Sequence, residues 1–450
     1  MQNPETINLL RETIFSLSSA PGQAGVAVFR LSGPASASCI KSLTGRSAPK
    51  PRYAALRKLR SEQGDPIDEA LTLWFPAPAS FTGEDCVEFH THGSPAVVSG
   101  LSEALLSLGL RQAEPGEFTR RAVENGKMDL TEAEGLADLI DAQSAGQRVQ
   151  ALRQMGGGLR GLYEGWREGL LDALAQIEGE IDFPDEGDIP DSLSHGAYAP
   201  LGILASEMRT ALQDMGRGAA IRSGLDIAII GAPNAGKSTL INALTRREIA
   251  ITSPEAGTTR DVVEAQMVIA GLPVTLSDTA GLRVSENAIE AEGVRRARKR
   301  AEEAEITIYV VRPGTTEFEG LIAEKLTQTD IIFYNISKGY GEIELTAVSN
   351  SLKGNLLDPN GESGLLARLE EIIREHYSVG QESGLTRARH GECVRRAQES
   401  ILRAQTHLGI APELAGDDLR AALQALSELA GETDIEAVFD RIFSRFCVGK

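Results

Sequence analysis

The chain has 450 residues, 42% of them hydrophobic, and a formal net charge of −19. This length exceeds what one hydrophobic core supports and predicts two to four domains, and the negative charge argues against broad nonspecific binding to nucleic acid. The four cysteines are far apart and form no CxxC pair, which indicates neither a disulfide framework nor a zinc site. We see no signal peptide and no apolar run that would span a bilayer, so we expect a cytoplasmic protein.

The segment from about 12 to 127 has the mixed pattern of an α+β domain. Alternating hydrophobicity predicts three strands and one helix, at 26–31, 70–75, 85–92 and 95–110. On the third strand, the period of two places Cys86, Glu88, His90 and His92 on one face. We interpret these side chains as a polar strand face rather than a metal site, because the chain has no second cluster of ligands.

A long helical region follows. It opens at 129–134, where Thr131 and Glu134 form a capping-box pattern, and continues to Ile181 past glycines at 156–158 that predict a break. A second helix is predicted at about 199–216, and further helices between 385 and 446. The last helices have an apolar face of Ala422, Leu423, Leu426, Leu429 and Ala430. Because helical segments precede and follow an α/β segment, we predict one bundle into which that unit is inserted.

The segment 231–239 fits the phosphate-binding pattern G-x-x-x-x-G-K-[ST]. An apolar strand at 225–230 enters it, and Leu240, Ile241 and Leu244 continue at helical spacing. Glycine lets backbone N–H groups surround phosphate oxygens, and the helix N-terminus adds positive dipole. We expect Lys237 to reach the terminal phosphates and Ser238 to bind Mg²⁺. The nucleotide-binding residues predicted in this loop are Asn234, Ala235, Gly236, Lys237, Ser238 and Thr239.

Strands alternate with helices around this loop, from about 221 to 379. Further strands are predicted at 262–269, 274–277, 306–311, 331–334 and 345–348, and helices at 288–304 and 365–376. This alternation predicts a doubly wound sheet with its ligand at the carboxyl edge.

A second nucleotide motif, D-x-x-G, follows one of these strands. In GTPases its aspartate reaches Mg²⁺ through water and its glycine amide senses the γ-phosphate. Between the loop and this motif, Thr259 is placed to complete the Mg²⁺ shell. The residues involved are Gly257, Thr258, Thr259, Asp278, Thr279, Ala280 and Gly281. Leu282 stands where Ras-like enzymes have a glutamine, so another group must orient the water.

The motif that normally reads guanine, N-K-x-D, is incomplete. Asn335 follows the strand at 331–334, but Lys338 occupies the acceptor position and has no acceptor atom. Guanine selectivity therefore does not follow from this motif. The segment 345–348 remains a candidate for the last specificity loop, and Glu342 is a candidate acceptor.

Together these segments resemble the MnmE (TrmE) family of tRNA modification GTPases. The resemblance covers nearly the whole chain. It rests on 22–33, 80–85 with Glu88, 115–119, 125–130, 181–186, 441–444 and the C-terminal Phe446-Cys447-Val448-Gly449-Lys450.

The resemblance implies a multidomain fold. Its parts are an α+β N-terminal folate-binding and dimerisation domain (1–127), a discontinuous helical domain (128–220 and 381–450, with the CVGK tail), and an inserted Ras-like α/β P-loop G domain (221–380).

The resemblance also implies a homodimer that acts with the flavoprotein MnmG (GidA) as a heterotetramer. The reaction adds an aminomethyl or carboxymethylaminomethyl group to C5 of the wobble uridine, U34, of certain tRNAs. The carbon comes from 5,10-methylene- or 5-formyl-tetrahydrofolate, and FAD enters only through the partner.

The resemblance also implies K⁺-dependent GTP hydrolysis and roles for individual residues. Glu290 matches the glutamate that orients the water, and Cys447 matches an essential terminal cysteine, although a buried structural thiol is an equal alternative. Asn335 and Ser253 join the nucleotide site. The K⁺ ligands implied are Asn234, Ser253, Glu255 and Thr258, the Mg²⁺ ligands are Ser238 and Thr259, and the folate-binding residues are Arg30, Glu88, Lys127 and Lys450.

An alternative from another class stays open at this point. Because of Lys338, the chain is also compatible with a folate-binding scaffold whose nucleotide binding is weak or unselective for the base. A ribosome-assembly GTPase related through the G domain alone does not explain the N-terminal segments or the Cys447 tail. We interpret the basic run at 295–300 as a solvated helix face rather than an RNA-binding helix.

Overall fold

A computed structural model describes most of the chain. The described residues are 12–182, 193–232, 234–245, 264–278, 302–312, 326–336, 350–358, 360–378, 384–408, 410–432, 436–444, 446 and 449. The chain divides into two compact units, one of residues 1–137 with 423–450 and the other of residues 138–422. Across the described residues, no helix combines the length and the hydropathy that a membrane crossing requires.

The first unit contains a six-stranded sheet in the order β3-β4-β5-β2-β1-β6. Its strands are β1 Ile14–Leu17, β2 Ala24–Ser32, β3 Ala55–Arg60, β4 Pro66–Phe75, β5 Cys86–Gly93 and β6 Arg111–Gln112. Neighbouring strands are antiparallel except β1 and β6. The predicted strands at 26–31, 70–75 and 85–92 are confirmed.

Helices cover one face of this sheet. They are α1 Ser36–Thr44 and α2 Pro95–Ser107, and α3 Glu117–Glu124 follows. Ile40 of α1 and Leu101 of α2 share a buried core with Phe29, Val87 and Phe89 of the sheet. The helix predicted at 95–110 is confirmed. It ends at Ser107 because Gly109 takes the left-handed conformation, with φ 80°.

The next helix, α4 Leu130–Asp141, begins with a different cap from the one predicted. Glu132 N–H donates to Asp129 Oδ1 at 2.8 Å, and Asp129 N–H donates to Glu132 Oε2 at 2.8 Å. This reciprocal pair is a capping box. The prediction of Thr131 with Glu134 was wrong, because Asp129 offers the same reciprocal bonds two residues earlier and leaves Thr131 and Glu134 buried inside the helix.

Replacing Asp129 by alanine is expected to destabilise the first turn of α4 by about 1 kcal/mol, because the N-cap acceptor is lost. Hydrogen exchange of the amides at 130–133 measures the change in opening free energy. Asp129→Asn is the matched control, since asparagine retains an acceptor and is expected to exchange nearly as slowly as the parent. If the amides at 130–133 exchanged as slowly in Asp129→Ala as in the control and the parent, this capping box would contribute nothing to stability.

The second unit holds a helical bundle that is interrupted in sequence. Its helices are α5 Ala145–Met155, α6 Gly158–Asp182, α7 Leu193–Ser223 and, after the α/β segment, α10 Ala388–His407. Helix α11 Pro412–Ala430 follows, and the boundary between the two units falls within it, after Ala422. Gln398 Nε2 of α10 donates to Ala205 O of α7 at 2.9 Å, and Gln405 Nε2 donates to Tyr198 O at 3.0 Å. A bundle formed from both sides of the inserted segment is therefore confirmed. The last helix, α12 Glu436–Phe443, belongs to the first unit.

Two helix boundaries differ from the prediction. The helical region from 129 is interrupted at 142–144, where Ser144 Oγ accepts from Gln147 N–H at 3.2 Å and caps α5. Helix α7 extends beyond the predicted 199–216 at both ends and contains Pro200. Ala197 and Leu201 are fully buried on either side of this proline, so packing outweighs the loss of one backbone N–H. The predicted break at 156–158 is confirmed.

The inserted α/β segment forms a second six-stranded sheet in the order β12-β11-β10-β7-β9-β8. Its strands are β7 Leu225–Gly231, β8 Glu264–Ile269, β9 Leu272–Asp278, β10 Ile306–Val311, β11 Ile331–Asn335 and β12 Ser351–Gly354, with helices α8 Lys237–Thr245 and α9 Ser363–Tyr377. All pairs are parallel except β8 with β9. The predicted α/β unit with a mainly parallel sheet is confirmed, and both described helices share one hydrophobic core with this sheet. The helix predicted at 288–304 lies almost wholly outside the described residues, and β12 was not predicted.

Candidate nucleotide site and ligand pocket

The phosphate loop leaves the middle of the second sheet. β7 pairs in parallel with β10 on one side and with β9 on the other. Asn234 and Gly236 have φ of 61° and 108°, the left-handed region in which glycine is favoured. Leu240 N–H donates to Gly236 O at 2.9 Å, so α8 begins inside the motif. This is the strand–loop–helix context that a phosphate-binding loop requires.

Lys237 is only 6% exposed although it carries an ammonium group. Its Nζ donates to Gly231 O at 2.8 Å and to Ala232 O at 2.9 Å. The loop therefore holds a positive charge beside the N-terminus of α8, whose dipole adds to it. Ser238 and Thr239 are exposed on the first turn of the same helix. The arrangement provides the charge and the hydroxyl oxygens that a phosphate group with Mg²⁺ requires.

Asn335, at the end of β11, links the phosphate loop to the segment after β12. Its Nδ2 donates to Ala235 O at 2.9 Å, and its Oδ1 accepts from Leu356 N–H at 3.4 Å. A side-chain amide bonded at both ends has a fixed orientation. Asn335 therefore fastens the two loops that leave the carboxyl edge of the sheet.

The segment bonded to Asn335 is not the one that the sequence predicted. The last strand and specificity loop were placed at 345–348, which lies outside the described residues. β12 pairs in parallel with β11, and Leu356 follows β12. A Cβ atom added to Gly236 would lie 3.3 Å from Leu356 Cδ1, so this turn packs on the phosphate loop. The turn at 355–358 is thus a second candidate for the specificity loop.

Many predicted site residues fall outside the described part of the chain. They are Ser253, Glu255, Gly257, Thr258, Thr259, Thr279, Ala280, Gly281, Glu290, Lys338, Glu342, Cys447 and Lys450. The backbone of Asp278 is described. It ends β9 in register with Ile229 of β7, which places the start of the D-x-x-G motif at the same sheet edge as the phosphate loop.

A pocket of about 370 Å³ opens in the first unit. Its lining consists of Arg30, Arg52, Phe75, Ala79, Ser80, Phe81, Cys86, Glu88 and Lys127. Three of the four predicted folate-binding residues, Arg30, Glu88 and Lys127, thus come together although they are far apart in sequence. A volume of this size accommodates a small organic ligand.

Glu88 is held from two sides within this pocket. Arg30 Nε and Nη2 donate to Glu88 Oε1 at 3.1 and 3.0 Å, and His90 Nε2 lies 3.1 Å from Glu88 Oε2. The register explains the first contact, because Arg30 lies opposite Glu88 on neighbouring strands. Across the described residues, no group of three or more His, Cys, Asp and Glu side chains is arranged to hold a metal ion.

Sequence reasoning missed the aromatic part of the lining. The guanidinium of Arg30 lies 5.2 Å from the centroid of the Phe81 ring, and that of Arg52 lies 5.6 Å from the centroid of Phe75. Phe81 belongs to the segment 80–85 on which the resemblance rests, and that segment was the available signal. No pattern marks Arg52 or Phe75, because only the folded sheet brings them to the pocket.

A buried ion network supports the loop that lines this pocket. Arg121 Nη1 donates to Glu84 Oε2 at 3.0 Å, and its Nη2 donates to Glu117 Oε1 at 2.9 Å. Ser32 Oγ donates to Glu84 Oε2 at 2.6 Å and lies 2.6 Å from Thr82 Oγ1. Thr82 and Glu84 directly follow the lining residues at 79–81. The network therefore joins α3 to the pocket loop.

Lys127 reaches the pocket from a turn that is fastened to the same loop. Asn125 Nδ2 donates to Thr82 O at 2.7 Å, and Lys127 N–H donates to Ala122 O at 2.8 Å. A Cβ atom added to Gly83 would lie 3.1 Å from Asn125 Cβ and 3.2 Å from Lys127 Cδ. The position of Lys127 is thus determined by close packing against Gly83.

The cysteines and the C-terminal tail are partly described. Cys39, Cys86 and Cys393 are buried. Burial raises the pKa of the Cys39 thiol to about 11. Ser18 Oγ donates to Gly449 O at 2.9 Å, so this part of the tail contacts the chain just after β1.

Known proteins match this chain along nearly its whole length. The family model "MnmE helical domain" matches residues 130–447, and the model "GTP-binding protein TrmE N-terminus" matches residues 13–127. The tRNA modification GTPase MnmE of Maricaulis maris (strain MCS10) is 50% identical over 447 residues, which are 98% of this chain and 100% of the relative. The proteins of the same name from Phenylobacterium zucineum (strain HLK1) and Parvibaculum lavamentivorans (strain DS-1) are 46% and 48% identical, with the same coverage.

These matches confirm the resemblance and the predicted fold class, a multidomain chain with an inserted Ras-like P-loop domain. The identity extends along nearly the full length of each relative, and the phosphate loop has the strand–loop–helix geometry of its motif. The chain belongs to the MnmE family of tRNA modification GTPases.

Proposed function

We propose that this chain hydrolyses GTP as one component of a complex that modifies C5 of the wobble uridine, U34, of tRNA. The observation that carries the proposal is the phosphate loop with its buried Lys237, bonded through Asn335 to the turn after β12, in a chain of this family. In the reaction, water attacks the γ-phosphorus, the phosphoanhydride bond breaks, and GDP and phosphate leave. Phosphoryl transfer of this kind depends mostly on positioning and on compensation of charge.

We assign hydrolysis to residues around the loop. Ser238 and Thr259 would hold Mg²⁺, which supplies positive charge to the phosphates, and Glu290 would orient the water. The exposed Ser238 fits this assignment, because Mg²⁺ prefers oxygen ligands. The implied K⁺ ligands are Asn234, Ser253, Glu255 and Thr258. Of these, Asn234 is exposed in the phosphate loop, and an amide oxygen is a suitable ligand for a hard cation.

We assign the pocket of the first unit to a tetrahydrofolate that supplies the one-carbon unit, either 5,10-methylene- or 5-formyl-tetrahydrofolate. Glu88, oriented by Arg30, offers acceptors to the N–H groups of a pterin. Lys127 and Lys450 would pair with the carboxylates of the glutamate tail. The contact of Gly449 with Ser18 supports a tail that lies on the first unit.

The proposed assembly is a homodimer that binds MnmG as a heterotetramer in the cytoplasm, with FAD carried by that partner. We assign Cys447, which matches an essential cysteine of the family, to the modification reaction. The domain boundaries 1–127, 128–220, 221–380 and 381–450 remain a prediction, since the two compact units divide the chain differently.

Calorimetric binding of GDP and ADP with Mg²⁺, followed by phosphate release from GTP in K⁺ and in Na⁺, tests the proposal. We expect GDP but not ADP to bind, and turnover to require K⁺. If GDP and ADP bound equally well, the protein would be better described as an NTPase of broad range than as a GTPase. Equal turnover in Na⁺ would remove K⁺ from the mechanism.

A second candidate is a folate-binding scaffold with weak or unselective nucleotide binding. Lys338 favours it, because lysine offers no acceptor to guanine. The scaffold is the better description if neither nucleotide binds and GTP is not hydrolysed while the tetrahydrofolate still binds.

A further inference from the structure

The first unit contains a strongly basic segment in an acidic protein. The 49 residues at 13–61 include no aspartate or glutamate. They include eight basic residues, namely Arg30, Lys41, Arg46, Lys50, Arg52, Arg57, Lys58 and Arg60. Without those eight positive charges, the total of −19 becomes −27 for the rest of the chain. The segment is therefore a local reversal of the overall charge.

Most of these cations lie on one exposed feature, which we call the basic strip. It comprises the exposed side chains of Arg46, Lys50, Arg52, Lys58 and Arg60. The first three lie on the connection between α1 and β3, and the last two lie on β3, the edge strand of the sheet. Arg52 also lines the pocket, so the strip begins at the pocket. Within the described residues, the one acidic partner along the strip is Glu69, 3.2 Å from Lys58.

We propose that the basic strip binds the phosphate backbone of an RNA loop and presents it to the pocket. The inference rests on the proposed function, because a wobble uridine lies in such a loop. Lysine and arginine contacts to phosphate supply most of the sequence-independent affinity for nucleic acid. The negative charge of the rest of the chain repels RNA and favours approach at the strip.

An exposed aromatic ring distinguishes RNA from other anions. Tyr53 lies between Arg52 and the start of β3, and it is 66% exposed. Unpaired bases in RNA loops stack on such rings. A polyglutamate tail on the folate is also anionic but has no base to stack. Protection of the edge strand against pairing explains Lys58 and Arg60, but it does not explain Arg46 and Lys50 on the preceding loop.

Fluorescence anisotropy of a labelled anticodon stem-loop RNA with the full chain, over a series of salt concentrations, tests the proposal. The double variant Arg46→Gln/Lys50→Gln is expected to bind about tenfold more weakly at low salt. The slope of log affinity against log salt is expected to decrease by about 1.4 to 1.8, for two lost phosphate contacts. Tyr53→Ala is expected to lower the affinity severalfold and to leave the slope unchanged.

The control is Arg374→Gln/Arg395→Gln, which removes the same charge from exposed helix positions of the second unit. Its affinity is expected to stay within about twofold of the parent, because those arginines lie outside the strip. An equal loss in the control, or an unchanged slope in the Arg46/Lys50 variant, overturns the proposal.

Two further measurements separate the remaining outcomes. The parent is compared with the Arg46/Lys50 variant for binding of pentaglutamyl and monoglutamyl tetrahydrofolate. If the variant loses a preference for the pentaglutamyl form while its RNA affinity is unchanged, the strip binds the folate tail and the RNA proposal is overturned. GTP hydrolysis is measured on the same samples. If the RNA binds through the strip but GTP is not hydrolysed, the inference is supported and the proposed function fails. If GTP is hydrolysed but the RNA does not bind, the proposed function is supported and the inference is overturned.

Discussion

Replacing Gly236 by alanine is expected to weaken GDP binding about 100-fold, which corresponds to about 2.8 kcal/mol. Two costs add at this position. The φ of 108° is strained for any residue with a Cβ. The added Cβ would also overlap Asn335 Nδ2, the group that donates to Ala235 O. Calorimetry with GDP and Mg²⁺ measures the loss.

Gly364→Ala is the matched control for this substitution. Gly364 lies in α9, and a Cβ atom added there would meet nothing within 4 Å. The variant is expected to bind GDP like the parent and to be slightly more stable, because alanine favours a helix by up to about 1 kcal/mol over glycine. If Gly236→Ala bound GDP within threefold of the control, the link between the loop and Asn335 would have no role in binding.

Arg121→Met is expected to destabilise the first unit by about 3–5 kcal/mol, because it leaves the carboxylate of Glu84 without its cation and removes one of the two arginines that pair with Glu117. The side chain of Arg121 is 1% exposed, and those of Glu84 and Glu117 are 17% and 11% exposed. Urea unfolding followed by the fluorescence of Trp74, in a Trp166→Phe background, measures the change.

Arg120→Met is the neighbouring control. Arg120 pairs with Glu124 and Asp440 at partly exposed positions, and such pairs contribute about 1 kcal/mol or less. Similar losses in the two variants would show that burial of the Arg121 network has no special effect. Because Glu84 belongs to the pocket loop, Arg121→Met is also expected to weaken binding of tetrahydrofolate, whereas Arg120→Met is not.

The loss caused by Arg121→Met is expected to shrink in acid. Burial opposes ionisation of Glu117, but hydrogen bonds from Arg111 and from Glu114 N–H, with the charges of Arg121 and Arg111, hold its pKa below the ordinary 4.5. A carboxyl with a lowered pKa stabilises the folded chain above 4.5, and this stabilisation disappears as the pH falls through the folded pKa. A difference between parent and variant that grows toward low pH would contradict this assignment.

Local sequence patterns predicted the elements that carry the nucleotide site. The apolar run before Gly231, the glycines of the loop and the spacing of Leu240, Ile241 and Leu244 each act over a few residues, and the structure has the same strand, loop and helix. The capping box of α4 and the length of α7 were predicted wrongly. There, an acceptor two residues away and buried packing around Pro200 outweighed the local signal.

Features that depend on distant pairs were decided by tertiary structure. The pocket joins Arg52 and Phe75 to residues on other strands, and the bond from Asn335 to Leu356 requires β12, which carries no strong strand pattern. The Arg121 network likewise joins α3 to a loop nearly forty residues earlier in sequence. The sequence by itself thus determined the family and the phosphate loop, because these depend on short contiguous motifs. Only the tertiary structure decided the lining of the pocket and its buried support, because those contacts form between segments that meet when the sheets assemble.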